Sequence, residues 1–211
     1  MDIDSIPIFT TNVFKFKASN HDKIKKYLMD NVYPRFLKDP VTDPLSNMYT
    51  DYCPGAAKVP WAMLSKFYED DIKTFLESTG LDFSQSWSFN FACWYGFTTH
   101  SIAEFVHDHT GGPATIQWSG VHYVVLDEGA HGTIFCDPCA RLKKSVSPTK
   151  NKHYLPAMYY PSKQTPSVSE GDMVIFPSWV DHHTPRHETG KLRVVVAMNI
   201  MLHRAGEIEG F

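Results

Sequence analysis

Apolar residues recur at helical spacing near the start of the chain. Ser19 and Asn20 can cap this helix, and Pro34 marks its expected end because proline cannot continue a helical hydrogen-bond ladder. The buried stripe of the predicted helix consists of Ile24, Tyr27, Leu28 and Val32. The sequence therefore predicts a first amphipathic helix that ends near Pro34.

A second helical pattern follows a polar stretch. Residues 41–60 are rich in Pro, Asp, Asn and Gly, which indicates mostly loop. Pro60 then suits the first turn of a helix, and Gly80 suits its end. The apolar stripe of this second predicted helix consists of Trp61, Leu64, Tyr68, Ile72, Phe75 and Leu76.

From residue 87 onward the pattern changes to short β-like runs separated by Gly, Pro and Asp. The predicted strands are 87–95, 101–109, 119–126, 133–136, 173–176 and 192–202. Many short strands after N-terminal helices predict a mainly β fold, a jelly-roll barrel with the helices packed on it. We expect one domain over 1–211, with a helical part over 1–86 and a β core over 87–211. A long polar loop at about 139–169 is predicted to be a lid or a substrate-facing insertion.

Composition narrows the functional classes. The net charge of −3 disfavours nucleic acid as a partner, and the chain has no apolar run long enough to span a membrane. The first residues lack the features of a secretory signal, and four irregularly spaced cysteines do not form a disulfide framework. These features predict a cytoplasmic protein. The 11 histidines motivate a search for a metal site.

The first candidate ligands are His107 and His109, which flank Asp108. Alternate side chains of a β-strand share a face, so the two imidazoles would point the same way and the carboxylate of Asp108 the opposite way. They could then bind one metal ion together. The alternative is that the strand ends here and these residues are polar loop.

Two further candidates lie near the C-terminus. His182 and its neighbour His183 follow the predicted strand 173–176, where a side chain can reach the mouth of a barrel, although a surface position is the alternative for either. Arg193 opens the apolar strand 192–202. On an inward face its guanidinium would bind a carboxylate through two hydrogen bonds, whereas at an exposed strand start it would only extend into solvent.

The order of these residues resembles the iron(II)/2-oxoglutarate-dependent oxygenase superfamily, which includes prolyl hydroxylases. More closely, the chain looks like short 2-oxoglutarate oxygenases of marine bacteria and their phages. The most specific matching piece runs from Gly171 to Trp179 and is followed by His182. The resemblance covers nearly the whole chain and implies a double-stranded β-helix.

The resemblance also implies roles for single residues. His107 and His182 would bind the metal, and His109 stands where the superfamily usually has a carboxylate. Asp108 could replace His109 only if the strand register slips. Arg193 would hold the distal carboxylate of 2-oxoglutarate, with Tyr123 as a further hydrogen-bond donor.

The implied activity is a dioxygenase reaction that uses Fe(II), 2-oxoglutarate and O2, hydroxylates a substrate and releases succinate and CO2. Three histidines would leave the full charge on the metal and would select less strictly against zinc, nickel and copper. Two alternatives stay open: a cupin-type metal enzyme that does not use 2-oxoglutarate, and a jelly-roll binding module. The substrate, a small molecule or a peptidyl group, and the oligomeric state are not readable from the sequence.

Overall fold

The computed structural model describes residues 11–38, 42–44, 46–85, 87–101, 105–110, 116–128, 130–137 and 163–204. Most of the predicted loop at about 139–169 therefore lies outside the described residues. The helices are α1 (His21–Asn31), α2 (Tyr33–Lys38), α3 (Trp61–Leu64) and α4 (Lys66–Ser78). The strands are β1 (Phe14–Lys17), β2 (Tyr49–Thr50), β3 (Trp87–Thr98), β4 (Trp118–Val125), β5 (Ile134–Cys136), β6 (Lys163–Gln164), β7 (Asp172–Pro177), β8 (His182–His183) and β9 (Arg193–Arg204).

The strands form two antiparallel sheets. The larger sheet has the order β1-β7-β4-β9-β3-β2, and the smaller has the order β6-β5-β8. Long β3 and β9 pair over their whole length, from Trp87 opposite Arg204 to Thr98 opposite Arg193. The prediction of a mainly β fold with a few N-terminal helices is thus confirmed.

Each face of the larger sheet covers a separate apolar core. On β7, Met173 and Ile175 pack toward the helices, whereas Val174 and Phe176 pack on the opposite side. There the Phe176 ring meets Phe135 of the smaller sheet at 4.8 Å between ring centroids. Because strand side chains alternate between faces, these buried strands are apolar on both sides. The space between the two sheets is where the functional side chains collect.

The helices differ in detail from the predicted ones. α1 ends at Asn31, and Pro34 lies in the first turn of α2, where its missing N–H leaves no helical hydrogen bond unmade. Pro34 thus belongs to the start of a helix and does not mark the end of one. Asn20 precedes α1, but its side chain makes no capping bond and donates to the Phe67 carbonyl oxygen at 3.0 Å.

The prediction of a strand over 101–109 is not met by the described residues of that segment. They show only isolated bridges, from Ser101 to His187 and from His107 to His182. The 1–86 segment also contributes two strands, β1 and β2, at opposite edges of the larger sheet. Among the residues that the structure describes, no helix has the length and apolar character needed to span a membrane.

A buried histidine joins the helices to the larger sheet. His122 on β4 is fully buried, with its Nδ1 2.8 Å from the Tyr68 hydroxyl of α4 and its Nε2 3.0 Å from Nδ1 of His21 on α1. Burial, together with the neighbouring His21, lowers the pKa of His122 to about 3. His122 is therefore neutral in the folded protein at pH 7.

This burial predicts a loss of stability in acid. The unfolded chain binds a proton at His122 below pH ~6.5, whereas the folded protein resists that proton until about pH 3. The contribution of His122 to the free energy of unfolding is therefore fully present above pH ~6.5. Between pH ~6.5 and about 3 it falls by about 1.4 kcal/mol per pH unit. We expect His122→Gln to lower the slope of stability against pH by about this amount in urea unfolding of metal-free protein between pH 6.5 and 4.5. His100→Gln, at an exposed site, should leave the slope unchanged.

Candidate metal centre

Three imidazoles meet between the two sheets. One ligand atom from each of His107, His109 and His182 lies within 4.8 Å of the others. Their ring centroids are 4.5 to 5.3 Å apart. The structure thus brings together the three histidines that the sequence analysis selected.

Backbone hydrogen bonds hold the two ligand segments side by side. His107 and His182 exchange bonds in both directions, N to O at 3.0 and 2.9 Å. The His109 N–H donates to the Ser178 carbonyl oxygen at 2.9 Å, just before β8. Although the described residues of 101–109 form only isolated bridges, these bonds keep the side chains of His107 and His109 on one side, as the period-two pattern predicted.

Each histidine has its Nδ1 beside a hydrogen-bond acceptor. The three acceptors are the Phe105 carbonyl oxygen at 2.9 Å, Asn199 Oδ1 at 2.6 Å and the Val180 carbonyl oxygen at 2.8 Å. An oxygen acceptor at Nδ1 selects the tautomer with its proton there, which leaves the Nε2 lone pair for a metal. The donor set therefore fits a divalent ion that accepts imidazole, such as iron(II).

Burial also prepares His182 for metal binding. Its side chain lies in the interior, and burial lowers its pKa to about 4 despite the bond to the Val180 carbonyl oxygen. The neighbouring His107 and His109 lower it further. Since a metal binds only the neutral imidazole, no proton has to leave His182 at pH 7.

Asp108 does not join the three histidines. Its Oδ1 accepts from the backbone N–H and the hydroxyl of Thr110 at 2.8 and 2.6 Å, and these bonds lower the pKa of the exposed Asp108 carboxyl. The alternative in which Asp108 replaces His109 finds no support in this geometry.

We expect Asp108→Asn to leave the affinity for Fe(II) within about twofold of wild type, as is usual for surface substitutions. Asparagine keeps the oxygen that accepts from Thr110 and removes only the charge. Anaerobic titration with Fe(II) measures this affinity. A large loss would mean that the carboxylate reaches the metal.

His183 faces away from the three histidines. Its Nδ1 lies 3.3 Å from the Thr184 carbonyl oxygen, and its Nε2 lies 3.3 Å from the Lys163 amine of β6. Between the two adjacent histidines, the structure therefore selects His182 for the cluster.

Arg193 lies in the same cavity as the three histidines. The cavity has a volume of about 150 Å³, and its lining includes all three imidazoles and Arg193. Arg193 is 3% exposed, so the alternative of a side chain that extends into solvent at the strand start is wrong. A buried cation in a cavity beside three histidines that could hold a metal ion suits a dianionic ligand that reaches both.

Tyr123 is buried close to this arginine. Its hydroxyl oxygen accepts from the Thr133 backbone N–H at 2.8 Å and lies 3.0 Å from the Thr133 hydroxyl. Burial raises the pKa of the Tyr123 phenol, while the bonds from Thr133 and the charge of Arg193 oppose that rise. Thr133 lines the cavity. Its hydroxyl can therefore offer a polar contact to a ligand in the cavity.

Several cavity residues were not identified from the sequence. The cavity is also lined by Met48, directly before β2, and by Thr50 on β2, within the stretch predicted to be mostly loop. Gly96 lets Met48 enter, because a Cβ at Gly96 would lie 2.3 Å from the Met48 methyl carbon. Asn199, whose side chain contacts His109, was also not predicted, since one asparagine in an apolar strand gives no pattern.

Comparison with known proteins agrees with this architecture. Residues 92–199, just over half of the chain, match the family model described as "Putative 2OG-Fe(II) oxygenase". This segment contains the three histidines and Arg193. No curated protein matches the sequence.

Solved structures of low sequence identity share the fold. A prolyl-4-hydroxylase from Pseudomonas putida superposes with a TM-score of 0.54 at 13% identity, over 93% of this chain and 95% of its own. The collagen prolyl hydroxylase of Paramecium bursaria Chlorella virus-1, in complex with 2-oxoglutarate, gives 0.51 at 12% identity, over 89% and 94%. HygX from Streptomyces hygroscopicus, with nickel and 2-oxoglutarate bound, gives 0.53 at 14%, over 91% and 83%. At these identities the likeness establishes the double-stranded β-helix and leaves the substrate open.

Proposed function

Because the chain belongs to the 2OG-Fe(II) oxygenase family, we propose that it is a dioxygenase that hydroxylates a substrate and converts 2-oxoglutarate to succinate and CO2. The observation that carries this proposal is the position of Arg193. Its buried guanidinium lines the cavity that also contains His107, His109 and His182.

The three histidines would hold Fe(II) through their Nε2 atoms. Three protein ligands leave coordination positions for the co-substrate and for O2, as oxygen-activating iron sites require. When bound, the iron and 2-oxoglutarate supply the oxidising chemistry, and the protein supplies orientation and a shielded cavity.

Arg193 would bind the distal carboxylate of 2-oxoglutarate, and Thr133 would contribute a hydrogen bond. A guanidinium binds a carboxylate through two parallel N–H bonds, which fixes direction as well as affinity. The negative charge of the co-substrate would also balance the charge that three neutral histidines leave on the metal.

Two measurements test this function. Anaerobic addition of Fe(II) and 2-oxoglutarate together should produce a visible charge-transfer band that neither gives alone. On admission of O2, the protein should release succinate, slowly without substrate and faster with a correct one. A panel of amino acids, prolyl peptides and small metabolites then searches for the substrate.

The results separate this proposal from the cupin-type alternative. Metal binding without the charge-transfer band and without succinate release would contradict the use of 2-oxoglutarate. Succinate release without any metal added, after treatment with a chelator, would contradict the role of the three histidines.

A further inference from the structure

Nδ1 of His109 is held by a side chain, whereas Nδ1 of each of the other two histidines is held by the backbone. Asn199 on β9 presents its Oδ1 2.6 Å from Nδ1 of His109, whereas His107 and His182 are held by backbone carbonyl oxygens. We propose that Asn199 is a positioning residue that makes His109 usable as a metal ligand in place of a carboxylate. This inference rests on the proposed metal role of the histidines.

The oxygen of Asn199 is itself held in place. Ser119 on β4 is paired with Asn199 in the sheet, is buried, and donates its hydroxyl to the same Oδ1 at 3.0 Å. Oδ1 thus accepts two hydrogen bonds, one from each neighbour. This arrangement fixes the direction in which Nδ1 of His109 must point.

The ring of His109 is also confined from the side. Trp94 on β3 lies parallel to it, with ring centroids 6.5 Å apart and an interplanar angle of 23°. Trp94 is paired with Ala197, two residues before Asn199 on β9. Adjacent strands of the larger sheet therefore control both the rotation and the plane of the imidazole.

The chemical need for such control comes from the imidazole itself. A carboxylate can offer either oxygen to a metal and carries no proton at pH 7. A neutral imidazole carries one proton, and with that proton on Nε2 it could not bind a metal through Nε2. The acceptor Oδ1 keeps the proton on Nδ1, so a histidine ligand at this position depends on its partner more than a carboxylate would.

The opposite orientation of the amide gives the opposite consequence. If the Asn199 nitrogen faced His109, it would donate to Nδ1 and force the proton onto Nε2, which would block the metal. An aspartate at 199 can only accept a hydrogen bond from His109. A leucine of similar shape can neither accept nor donate one. These two variants therefore isolate the hydrogen bond from the shape of the side chain.

The test measures Co²⁺ affinity in the absence of 2-oxoglutarate, by competition with a chelator and from the visible spectrum of bound Co²⁺. We expect Asn199→Leu to weaken binding by about 10- to 100-fold, the range for lost partners of ligating histidines. Asn199→Asp should bind at least as tightly as wild type. Asn90→Leu, at an exposed asparagine of β3, is the matched control and should bind normally.

A double-mutant cycle shows whether Asn199 acts through His109. In a His109→Asp background, Asn199→Leu should change Co²⁺ affinity by less than about twofold, because the imidazole that it orients is gone. An equal loss in both backgrounds would overturn the inference, since it would indicate a general effect on the fold. Thermal unfolding of each variant checks that all remain folded.

The outcomes separate this inference from the function on which it rests. If wild type binds Co²⁺ and Asn199→Leu binds equally well, or if Asp and Leu at 199 weaken binding to the same extent, only the positioning role is overturned. If wild type binds no Co²⁺, the proposed function fails and this inference fails with it.

Discussion

His182→Ala is expected to lower the affinity for Fe(II) by more than about 100-fold and to abolish succinate release. The substitution removes one of three nitrogen ligands, a larger loss than that of the hydrogen-bond partners outside them. The remaining pair, His107 and His109, cannot define three sides of a coordination sphere. Anaerobic titration with Fe(II) and a succinate assay measure the two effects.

The adjacent histidine provides the control for this experiment. His183 faces the opposite side of β8, toward Lys163 and the Thr184 carbonyl oxygen. We expect His183→Ala to keep Fe(II) affinity within about twofold of wild type, although it can lower thermal stability because the side chain is buried. The assignment to His182 is wrong if the two variants exchange these phenotypes.

Arg193→Gln is expected to weaken 2-oxoglutarate binding by at least about 100-fold and to leave Fe(II) affinity unchanged. A charge-assisted hydrogen bond contributes about 1.5–3 kcal/mol, and the guanidinium can make two to one carboxylate. The affinity of Arg193→Lys for 2-oxoglutarate should lie between those of wild type and Arg193→Gln, because lysine keeps the charge but loses the planar fork of the guanidinium. The charge-transfer band, titrated with 2-oxoglutarate, measures the affinity.

A change in the ligand also tests the contact between Arg193 and the distal carboxylate. 2-Oxobutyrate keeps the 2-oxo acid group but lacks the distal carboxylate. Its affinity should be similar in wild type and Arg193→Gln, if the arginine binds only the distal group. Arg204→Gln, at the exposed far end of β9, is the matched arginine control. Equal weakening of both ligands by Arg193→Gln would contradict the proposed contact.

The sequence predicted those parts of the site that follow from side-chain periodicity. His107 and His109 alternate with Asp108, and Arg193 shares a face with Val195 and Ala197. The alternation holds at His107 and His109, so both side chains face the cavity although the described residues around them form only an isolated bridge. The third ligand, His182, was found because it follows a clear strand and turn.

Other parts of the structure depend on contacts between distant segments. The two-residue strands β2 and β8 exist because longer neighbours pair with them, and such short runs leave no pattern in sequence. Met48, directly before β2, enters the cavity because β2 pairs with β3. The prediction that Pro34 marks a helix end was wrong because proline is also found in the first turn of a helix. Only the packing of α2 shows which of these two positions Pro34 occupies.

The role of Asn199 could not be predicted from the sequence for a further reason. Its role is visible only when the register of β9 with β4 is known, since the pairing brings Ser119 beside it. The histidine that it supports lies 90 residues away in the chain. A single polar residue in an apolar strand indicates a buried polar contact, but its hydrogen-bond partner cannot be predicted from the sequence.

The position of Arg193 and Asn199 on one strand has a consequence for how this protein can change. The two residues are six positions apart on β9, so their side chains lie on the same face. Deleting one residue between them would turn one of the two toward the helices, so that either Arg193 would leave the cavity or Asn199 would lose His109. Deleting two would keep the face but shorten their separation by about 7 Å. The distance between Arg193 and Asn199 along β9 can therefore vary only in steps of two residues. Relatives should preserve the number of residues between these positions even where the sequence between them diverges.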